Sequence, residues 1–314
     1  MIRKITITTL LLIFSYFTYS QAVSLPFYLD KNKRIIVQYS IKGDIVKLLL
    51  DTGWEGNMLD VNLADKLDIL PHKQGIKVQK FVSSGEPYTE IFPDNGMAHY
   101  IDTLFTYPWT LTNMHETAKS LDIDADVDGI VGINFIGYKY ITEFDFKNQR
   151  LNFWDSLPSN YFDNENYKKI EIVRLDYGQP DTLKNVAAMY PYVRGEMTIL
   201  GNVKLNPFFF IDSGSPYFFA LQVHDEAVLK KLIDYKMEVV KKFGNNYPTY
   251  CFKIPELGID TLYTNCSTSR VMPDVFNLYK KNLFRVLLGM DFLLRYEKVI
   301  IDAKRREGYF FEAK

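Results

Sequence analysis

The sequence predicts a mainly β protein built from two similar halves, and three observations support this prediction. An apolar run that ends in Asp-Thr-Gly at residues 51–53 returns as an apolar run that ends in Asp-Ser-Gly at residues 212–214. Other short segments recur in the same order at offsets between 157 and 162 residues. The chain also contains 22 Tyr and 23 Phe, and aromatic rings suit the pleated, half-buried surface of a sheet.

The repeat extends along most of the chain, which favours duplication over chance. Its further anchors are Lys80-Phe81 with Lys242-Phe243, Ile101–Thr106 with Ile259–Thr264, Val131-Gly132 with Leu288-Gly289, and Asp145 with Asp302. The small changes in offset are what insertions in surface loops between retained strands would produce. There are two copies only, so this is a duplication and not a repeat array.

Each of the two motifs places an acidic side chain at the end of a buried strand. The apolar residues before Asp51 and before Asp212 have the pattern of covered strands, and the following glycines tolerate a tight turn. Asp and Gly are also ordinary turn residues, so one copy alone would predict only a turn. Two copies in equivalent positions predict two carboxylates that are set up to meet.

These motifs resemble those of the pepsin-like aspartic proteases. The matching pattern is Asp-Thr-Gly, the apolar-apolar-Gly segment Ile130–Gly132, Asp-Ser-Gly, and the second such segment Val286–Gly289. The resemblance spans essentially the whole chain after residue 20 and is nearer to bacterial relatives of pepsin and of retroviral protease than to digestive pepsins. It implies a bilobal fold of two homologous β-barrel lobes with short helices, residues 25–160 and 165–314, that face each other across a cleft.

The resemblance also implies the chemistry. Asp51 and Asp212 would be the catalytic pair, supported by the loop residues Thr52, Gly53, Ser213 and Gly214, with Thr52 and Ser213 hydrogen-bonded between the lobes. Two close carboxylates share one proton, so that one acts as a base toward water and the other as an acid. The implied activity is that of an aspartic endopeptidase, which cleaves a peptide or protein substrate as a monomer and needs no cofactor.

Residues 1–20 are typical of a signal peptide. Arg3 and Lys4 provide the positive start, Ile5–Phe17 the apolar stretch, and Thr18–Ser20 a small-x-small cleavage pattern before Gln21. The apolar stretch is short for a membrane span, and an uncleaved anchor is the alternative. We therefore expect export to the periplasm or the outside after cleavage near Ser20, without stable membrane insertion.

The first half predicts hairpins and one short helix. Residues 34–41 and 45–50 form a hairpin whose second strand leads to Asp51. Residues 57–67 have apolar positions at helical spacing and are followed by Pro71, which ends the helix. Residues 97–114 continue in strands.

A second hairpin in the first half is the candidate flap. Lys77–Val82 and Tyr88–Phe92 read as strands around a small tip that contains Ser84 and Gly85. In the protease family a hairpin of one lobe closes over the substrate, and such a lid excludes bulk water. An ordinary surface hairpin is the alternative interpretation.

The second half follows the same plan after the polar and aromatic segment 152–166, which predicts the connection between the halves. A helix over residues 225–235 would bury Val228, Leu229, Leu232 and Ile233. The hairpin around Asn245-Asn246 would be structural and not a second flap.

Cys251 and Cys266 are the two cysteines of the chain. A hairpin turn midway between them would bring them opposite each other, and export makes a disulfide reasonable. Two free buried thiols are the alternative.

Composition and local motifs exclude other classes. The formal net charge of −1 gives no basic excess for binding nucleic acid. His115-Glu116 lacks the second histidine of a zinc-protease motif, and a calcium loop read from Asp124 has Phe135 at the position of its bidentate Glu. The sequence therefore predicts no metal site.

Trp54 departs from the family pattern, which has a small residue after the first glycine. Its indole either crowds the site of the attacking water or turns outward and packs under a neighbouring strand. The departure leaves open a catalytically inactive, protease-like peptide-binding protein, and some other β-rich exported protein is a third alternative.

Overall fold

The protein is described by a computed structural model, which covers residues 21–54, 56–68, 76–81, 87–92, 104, 109–123, 126–132, 140–163, 165–172, 192–199, 203–205, 208–217, 219–223, 226–245, 248, 250–264, 267–271 and 285–312. Strands far outnumber helices in this part of the chain, so the mainly β prediction is confirmed. The predicted signal peptide lies outside the described residues. No helix among the described residues is long and apolar enough to cross a membrane.

The first half of the described chain consists of short strands with two short helices. The strands are β1 (Gln21–Leu29), β2 (Ile35–Ile41), β3 (Asp44–Asp51), β4 (Asn57–Asp60), β5 (Ile76–Phe81), β6 (Pro87–Phe92), β7 (Trp109–Thr112), β8 (Gly129–Gly132), β9 (Ile141–Asp145) and β10 (Arg150–Trp154). The helices are α1 (Val61–Lys66) and α2 (Met114–Ser120).

The second half has a similar composition and one longer helix. Its strands are β11 (Tyr167–Glu171), β12 (Tyr192–Arg194), β13 (Glu196–Ile199), β14 (Val203–Leu205), β15 (Phe208–Ile211), β16 (Phe219–Val223), β17 (Tyr250–Ile254), β18 (Ile259–Thr264), β19 (Ser267–Val271), β20 (Arg285–Leu288), β21 (Tyr296–Asp302) and β22 (Glu307–Glu312). Its helices are α3 (Glu226–Phe243) and α4 (Met290–Leu293), and a 3₁₀ turn covers Pro255–Leu257.

One five-strand arrangement occurs in each half of the chain. In the first half the order is β2-β3-β8-β4-β7, with β3–β8 and β4–β7 parallel and the other pairs antiparallel. In the second half the order β12-β15-β20-β16-β19 has the same directions. The strands that lead to Asp51 and Asp212 are β3 and β15, which occupy equivalent positions. The duplication seen in the sequence is therefore matched by a duplication of topology.

Two further hairpins join the halves. Each follows the apolar-Gly segment of its own half, β9–β10 in the first and β21–β22 in the second. The two hairpins pair through β9 and β21, which run antiparallel with Val299 opposite Phe144. With β1 beside β10 and β11 beside β22, these strands form a continuous row to which both halves contribute.

The β-barrel lobes expected from the resemblance are not present as closed barrels. Among the described residues, the strand order of every sheet is open. The physical reason lies in β1, whose first part pairs with β10 and whose last part pairs with β2. The sheet of the first half therefore continues into the shared row of strands instead of closing on itself.

The core is built by apolar side chains on the inner faces of these sheets. The largest fully buried side chains are Phe153, Phe209, Phe210, Tyr250, Phe252, Phe292 and Phe310. Burial of one such ring contributes roughly 1.5–3 kcal/mol to folding. Both strands that lead to the Asp motifs lie in this core, which makes the ends of β3 and β15 rigid supports.

The segment predicted as one helix after the first Asp motif is a strand followed by a shorter helix. The strand β4 buries both Met58 and Leu59, because adjacent side chains point to opposite faces of the sheet and each face is covered by an apolar cluster. The carboxylate of Asp60 then accepts hydrogen bonds from the backbone N–H groups of Asn62 and Leu63 and caps α1. A short apolar pair does not distinguish a covered strand from a helix.

The helix α3 corrects one anchor of the repeat. It continues to Phe243, so Lys242-Phe243 ends a helix and is not the counterpart of Lys80-Phe81 in β5. Ile233, predicted as buried, is 45% exposed, whereas Val239 is buried. The longer helix packs through later turns, with Tyr235 against the core four residues before Val239.

Two further boundaries differ from the prediction. The segment expected to continue in strands to residue 114 turns into α2, which the Asn113 side chain caps by accepting the N–H of Glu116. The predicted connection 152–166 begins as the end of β10, and a turn covers residues 159–163.

Candidate active site

Each half delivers one acidic side chain at the end of a buried strand. Leu48 and Leu50 are fully buried in β3, which ends at Asp51, and Phe209 and Phe210 are fully buried in β15, which ends just before Asp212. Asp212 is only 7% exposed, and Asp51 is half-buried.

The two loops after these strands have the same local geometry. In the first loop the N–H of Gly53 donates to the Asp51 carboxylate at 2.7 Å, and the N–H of Trp54 donates to the Asp51 carbonyl at 3.1 Å. In the second loop Gly214 donates to the Asp212 carboxylate at 3.0 Å, and Ser215 to the Asp212 carbonyl at 3.2 Å. Each turn therefore holds its own carboxylate by a backbone donor.

The glycines of the two motifs lie against the opposite carboxyl groups. A Cβ atom built on Gly53 would be 2.6 Å from Oδ1 of Asp212, and one built on Gly214 would overlap the carboxyl group of Asp51. Real Cβ atoms do not approach other atoms so closely. Only glycine at these positions lets the two loops come together, which is the physical reason for the third residue of each motif.

Hydrogen bonds tie the two loops together beneath the carboxyl groups. The Thr52 hydroxyl donates to the Ile211 carbonyl at 2.7 Å and accepts from the Ser213 N–H at 2.8 Å. The Ser213 hydroxyl donates to the Leu50 carbonyl at 2.9 Å and accepts from the Thr52 N–H at 3.1 Å. We call these four bonds the loop–loop network. Thr52 and Ser213 are both fully buried, so the network closes without water.

The two carboxyl groups interact directly. Burial raises the pKa of Asp51 well above its ordinary value, and the neighbouring charge of Asp212 and a hydrogen bond between the two side chains raise it further. The N–H of Gly53 and the charge of Arg34 oppose this shift. Such a pair loses its two protons in separate steps that belong to both groups. Over the pH range between these steps, the pair holds one proton and one negative charge.

The apolar-Gly segments support the two loops from behind in the same way. The N–H of Gly132 donates to the Gly56 carbonyl at 2.9 Å in the first half, and the N–H of Met290 donates to the Ser215 carbonyl at 2.8 Å in the second. A Cβ atom on either Gly132 or Gly289 would overlap the backbone of the adjacent loop. These segments are therefore the backbone supports of the two Asp turns.

Trp54 packs in a small apolar cluster on one face of the first-half sheet. This cluster contains the buried side chains Ile36, Leu49, Met58, Met114, Ala118, Val127 and Ile130, and the Trp54 side chain is partly buried against it. The indole thus belongs to the packing between the sheet and α2. The sequence left two arrangements open for Trp54, and this contact fits the one in which the indole turns outward and packs against the sheet.

The hairpin predicted to carry the flap candidates is formed by β5 and β6. β5 and β6 pair antiparallel from Ile76 opposite Phe92 to Phe81 opposite Pro87. Its tip, with Ser84 and Gly85, lies outside the described residues.

The predicted Cys251–Cys266 disulfide is not formed in the structure. Cys251 has a free thiol and lies opposite Tyr263 across the β17–β18 ladder. The chain turns at Pro255–Leu257 and Gly258, nearer to Cys251 than the midpoint between the cysteines that the prediction assumed, so Tyr263 takes the position opposite Cys251. Cys266 lies outside the described residues.

Sequence reasoning missed Arg34, which is 5% exposed and contributes its charge to the environment of Asp51. Its guanidinium donates to the carbonyls of Asp122 at 2.7 Å and Leu121 at 3.1 Å. The bounds of the predicted hairpin did not fix its register, so no specific pairing of Arg34 with Asp51 followed from the sequence. An arginine at the edge of a predicted strand is usually exposed, so the burial of Arg34 near Asp51 was not expected.

A separate cavity of about 510 Å³ lies beside α2 and does not include the carboxyl pair. Its lining residues are Met114, His115, Ala118, Lys119, Asp122, Ile123, Asp126 and Val127. No group of three or more His, Cys, Asp or Glu side chains that could hold a metal ion is found in the described part of the chain.

Comparison with known proteins does not assign the chain to a family. No family model matches the sequence, and no curated protein matches it. The interpretation of the site therefore depends on its own geometry.

Proposed function

We propose that the protein is an aspartic endopeptidase that hydrolyses peptide bonds with Asp51 and Asp212. The observation that carries this proposal is the contact between the two carboxyl groups, each held by an equivalent turn. Two carboxyl groups that share one proton supply a base and an acid at the same place, which is what the attack of water on an amide requires.

The reaction uses the shared proton in two steps. In the first step the ionised carboxylate takes a proton from a bound water, the water oxygen bonds to the peptide carbonyl carbon, and the protonated carboxyl gives its proton to the carbonyl oxygen. In the second step the C–N bond breaks, a carboxyl group protonates the departing nitrogen, and a proton returns from the tetrahedral diol to the pair. Water is the only co-reactant, and the pair ends as it began.

The geometry supports this chemistry in two ways. The N–H groups of Gly53 and Gly214 each donate to one carboxyl group and fix its orientation. The loop–loop network keeps the two turns in contact, so that the pair is preorganised before substrate arrives. The equivalent five-strand arrangements around β3 and β15 hold the turns that carry Asp51 and Asp212.

The larger arrangement belongs to the same proposal. We infer a bilobal, pepsin-like fold, with lobes 25–160 and 165–314 and a substrate cleft between them that the β5–β6 hairpin covers as a flap. The substrate is a peptide or protein, and the enzyme acts as a monomer after export and removal of residues 1–20. The repeated topology and the shared row of strands support this arrangement.

A peptide-library digest tests the proposed function. Purified protein is incubated with a fluorogenic peptide library between pH 3 and pH 8, beside the variants Asp212→Asn and Asp260→Asn. Asp260 is an exposed aspartate of β18, so Asp260→Asn makes the same carboxyl-to-amide change away from the pair. We expect cleavage by the unmodified protein and by Asp260→Asn, and its loss in folded Asp212→Asn. Absence of cleavage by the unmodified protein across the library would reject this function and favour a peptide-binding protein that lacks the chemistry.

A further inference from the structure

Arg34 lies in one row across the sheet with two carboxylates. The β1–β2 ladder pairs Leu29 with Ile35, so the next pair is Asp30 with Arg34. The β2–β3 ladder ends with Ile36 opposite Leu49, and continuing this register by two residues leads from Arg34 to Asp51. Opposite residues in an antiparallel pair have Cβ atoms about 4.5–5.5 Å apart and point to the same face.

The position of Arg34 is fixed by its backbone and by its side chain. Its N–H donates to the Asp30 carboxylate at 2.8 Å, and its carbonyl accepts from the Asp30 N–H at 3.0 Å. Two guanidinium nitrogens donate to the carbonyls of Leu121 and Asp122 in the loop after α2. These acceptors are neutral carbonyl groups, so they orient the guanidinium without cancelling its charge.

The guanidinium of Arg34 has a hydrogen-bond donor that is not used. Arg34 is 5% exposed, and its buried Nε has no hydrogen-bond partner in the structure. A buried arginine charge is costly unless a nearby anion offsets it. Two carboxyl groups lie near Arg34. Its charge favours the ionised form of Asp51, and Asp30 accepts a hydrogen bond from its backbone N–H and has one buried oxygen without a partner.

We propose that Arg34 is a positioning residue that stabilises the singly ionised Asp51–Asp212 pair by its charge. This inference rests on the proposed function, because the singly ionised pair is the reactive state of that mechanism.

The charge makes a specific prediction about pH. A nearby cation favours each ionised state of the pair, so it lowers the pH of both ionisation steps. Loss of the cation therefore moves both limbs of a bell-shaped activity profile to higher pH. A residue with only a structural role would lower the activity without moving the limbs.

The experiment compares kcat/KM against pH for the unmodified protein, Arg34→Gln, Arg34→Lys and Lys33→Gln. We expect Arg34→Gln to move both limbs upward by about one pH unit, and Arg34→Lys to keep most of the original profile because it retains the charge. Lys33→Gln is the matched control. It removes an exposed charge one residue away, which pairs with Asp291 at the surface, and should leave both limbs in place. Unmoved limbs in folded Arg34→Gln, or an equal movement in Lys33→Gln, would overturn the inference.

Asp30→Asn provides a second test if Arg34→Gln does not fold. It removes the charge of the second carboxyl group near Arg34 and keeps an oxygen that accepts from the Arg34 N–H. We expect both limbs to move to lower pH, and unmoved limbs would then overturn the inference.

A titration separates this inference from the proposed function. The carboxyl groups of ¹³C-labelled aspartate are followed by NMR, with Asp51→Asn to assign the pair. An upward movement of both steps in Arg34→Gln supports the role of Arg34 even in a protein that cleaves no peptide. Cleavage by the unmodified protein together with unmoved titration steps would reject the role of Arg34 alone.

Discussion

At the scale of single residues, the environment that raises the pKa of Asp51 also lowers the stability of the folded protein at neutral pH. Asp51 is half-buried beside a second carboxyl group, and both the loss of water and the neighbouring charge raise its pKa. A carboxyl group with a raised pKa in the folded protein binds its proton more tightly there than in the unfolded chain. Its ionisation therefore destabilises the folded state as the pH rises above the unfolded pKa, which is about 3.9 for Asp.

We expect Asp51→Asn to be more stable than the unmodified protein at pH 7 and to lose this advantage toward pH 3. Below the unfolded pKa both states of the carboxyl group are protonated, so the difference between acid and amide becomes small. Urea unfolding at several pH values measures the effect. A variant that is less stable than the unmodified protein at pH 7, with the same difference at pH 3, would contradict the assigned electrostatics.

Trp54 gives a second residue-scale prediction. Because the indole packs against the apolar cluster beside α2, Trp54→Ser should lower the free energy of unfolding by about 2–3 kcal/mol, less than full truncation of a buried Trp costs. The kcat of the folded variant should stay within a few-fold of the original. Trp54→Phe keeps an apolar ring and should recover most of the stability. A large rise in turnover in Trp54→Ser would show instead that the indole crowds the water site.

At the scale of elements, the contact between the two Asp turns depends on the loop–loop network. Each hydroxyl both donates and accepts across the contact, so removal of one leaves a buried carbonyl and a buried N–H unpaired. An unpaired buried group of this kind costs roughly 1–3 kcal/mol.

Thr52→Val and Thr52→Ser form a matched pair that tests this network. Val keeps the shape of Thr without the hydroxyl, and we expect a loss of about 2–4 kcal/mol with a matching loss of activity. Ser keeps the hydroxyl and should lose less than half as much. Equal destabilisation by the two substitutions, measured by urea unfolding, would show that shape and not hydrogen bonding holds the loops.

The elements also show which parts of the structure the sequence predicts. The β2–β3 and β5–β6 hairpins and the positions of both Asp motifs follow from local apolar runs and turn residues, which act over a few residues. The length of α3, the division of residues 57–67 and the free thiol of Cys251 depend on packing and on ladder register, which local patterns do not encode. The role of Arg34 was missed for the same reason, since burial of a strand-edge arginine is decided by the loop after α2.

At the scale of the whole molecule, a buried polar network joins the shared row of strands to the connection between the halves. The carboxylate of Glu143 in β9 accepts hydrogen bonds from Asn152, the Trp154 indole and the Tyr161 hydroxyl. The Tyr161 hydroxyl in turn accepts from Lys298 in β21. Glu143 is 2% exposed, so these donors take the place of water around its carboxyl group.

We expect Glu143→Ala to destabilise the protein by about 2–4 kcal/mol, because the buried Asn152 amide and the partly buried Trp154 and Tyr161 donors lose this acceptor. Glu171→Ala changes the same residue type at an exposed position of β11 and should cost less than about 0.5 kcal/mol. Thermal unfolding of the two variants measures the contrast. Similar losses of stability in both variants would show that the Glu143 network does not help to hold the two halves together.

The duplication is visible in the sequence, in the fold and in the site. It was visible as repeated motifs, it recurs as the same five-strand order around β3 and β15, and it brings Asp51 and Asp212 together. The motifs did not show that the expected barrel lobes are open among the described residues, because closure depends on how β1 is shared between β2 and β10.

The central claim, that Asp51 and Asp212 act as one catalytic unit, is tested most directly by a double-mutant cycle on kcat/KM. Asp51→Asn, Asp212→Asn and the double variant are assayed on a cleaved peptide after each is shown to be folded. Groups that act as a unit are strongly non-additive, so each single variant should lose nearly all activity and the double variant little more. Losses that multiply in the double variant, or full activity in either folded single variant, would contradict the claim.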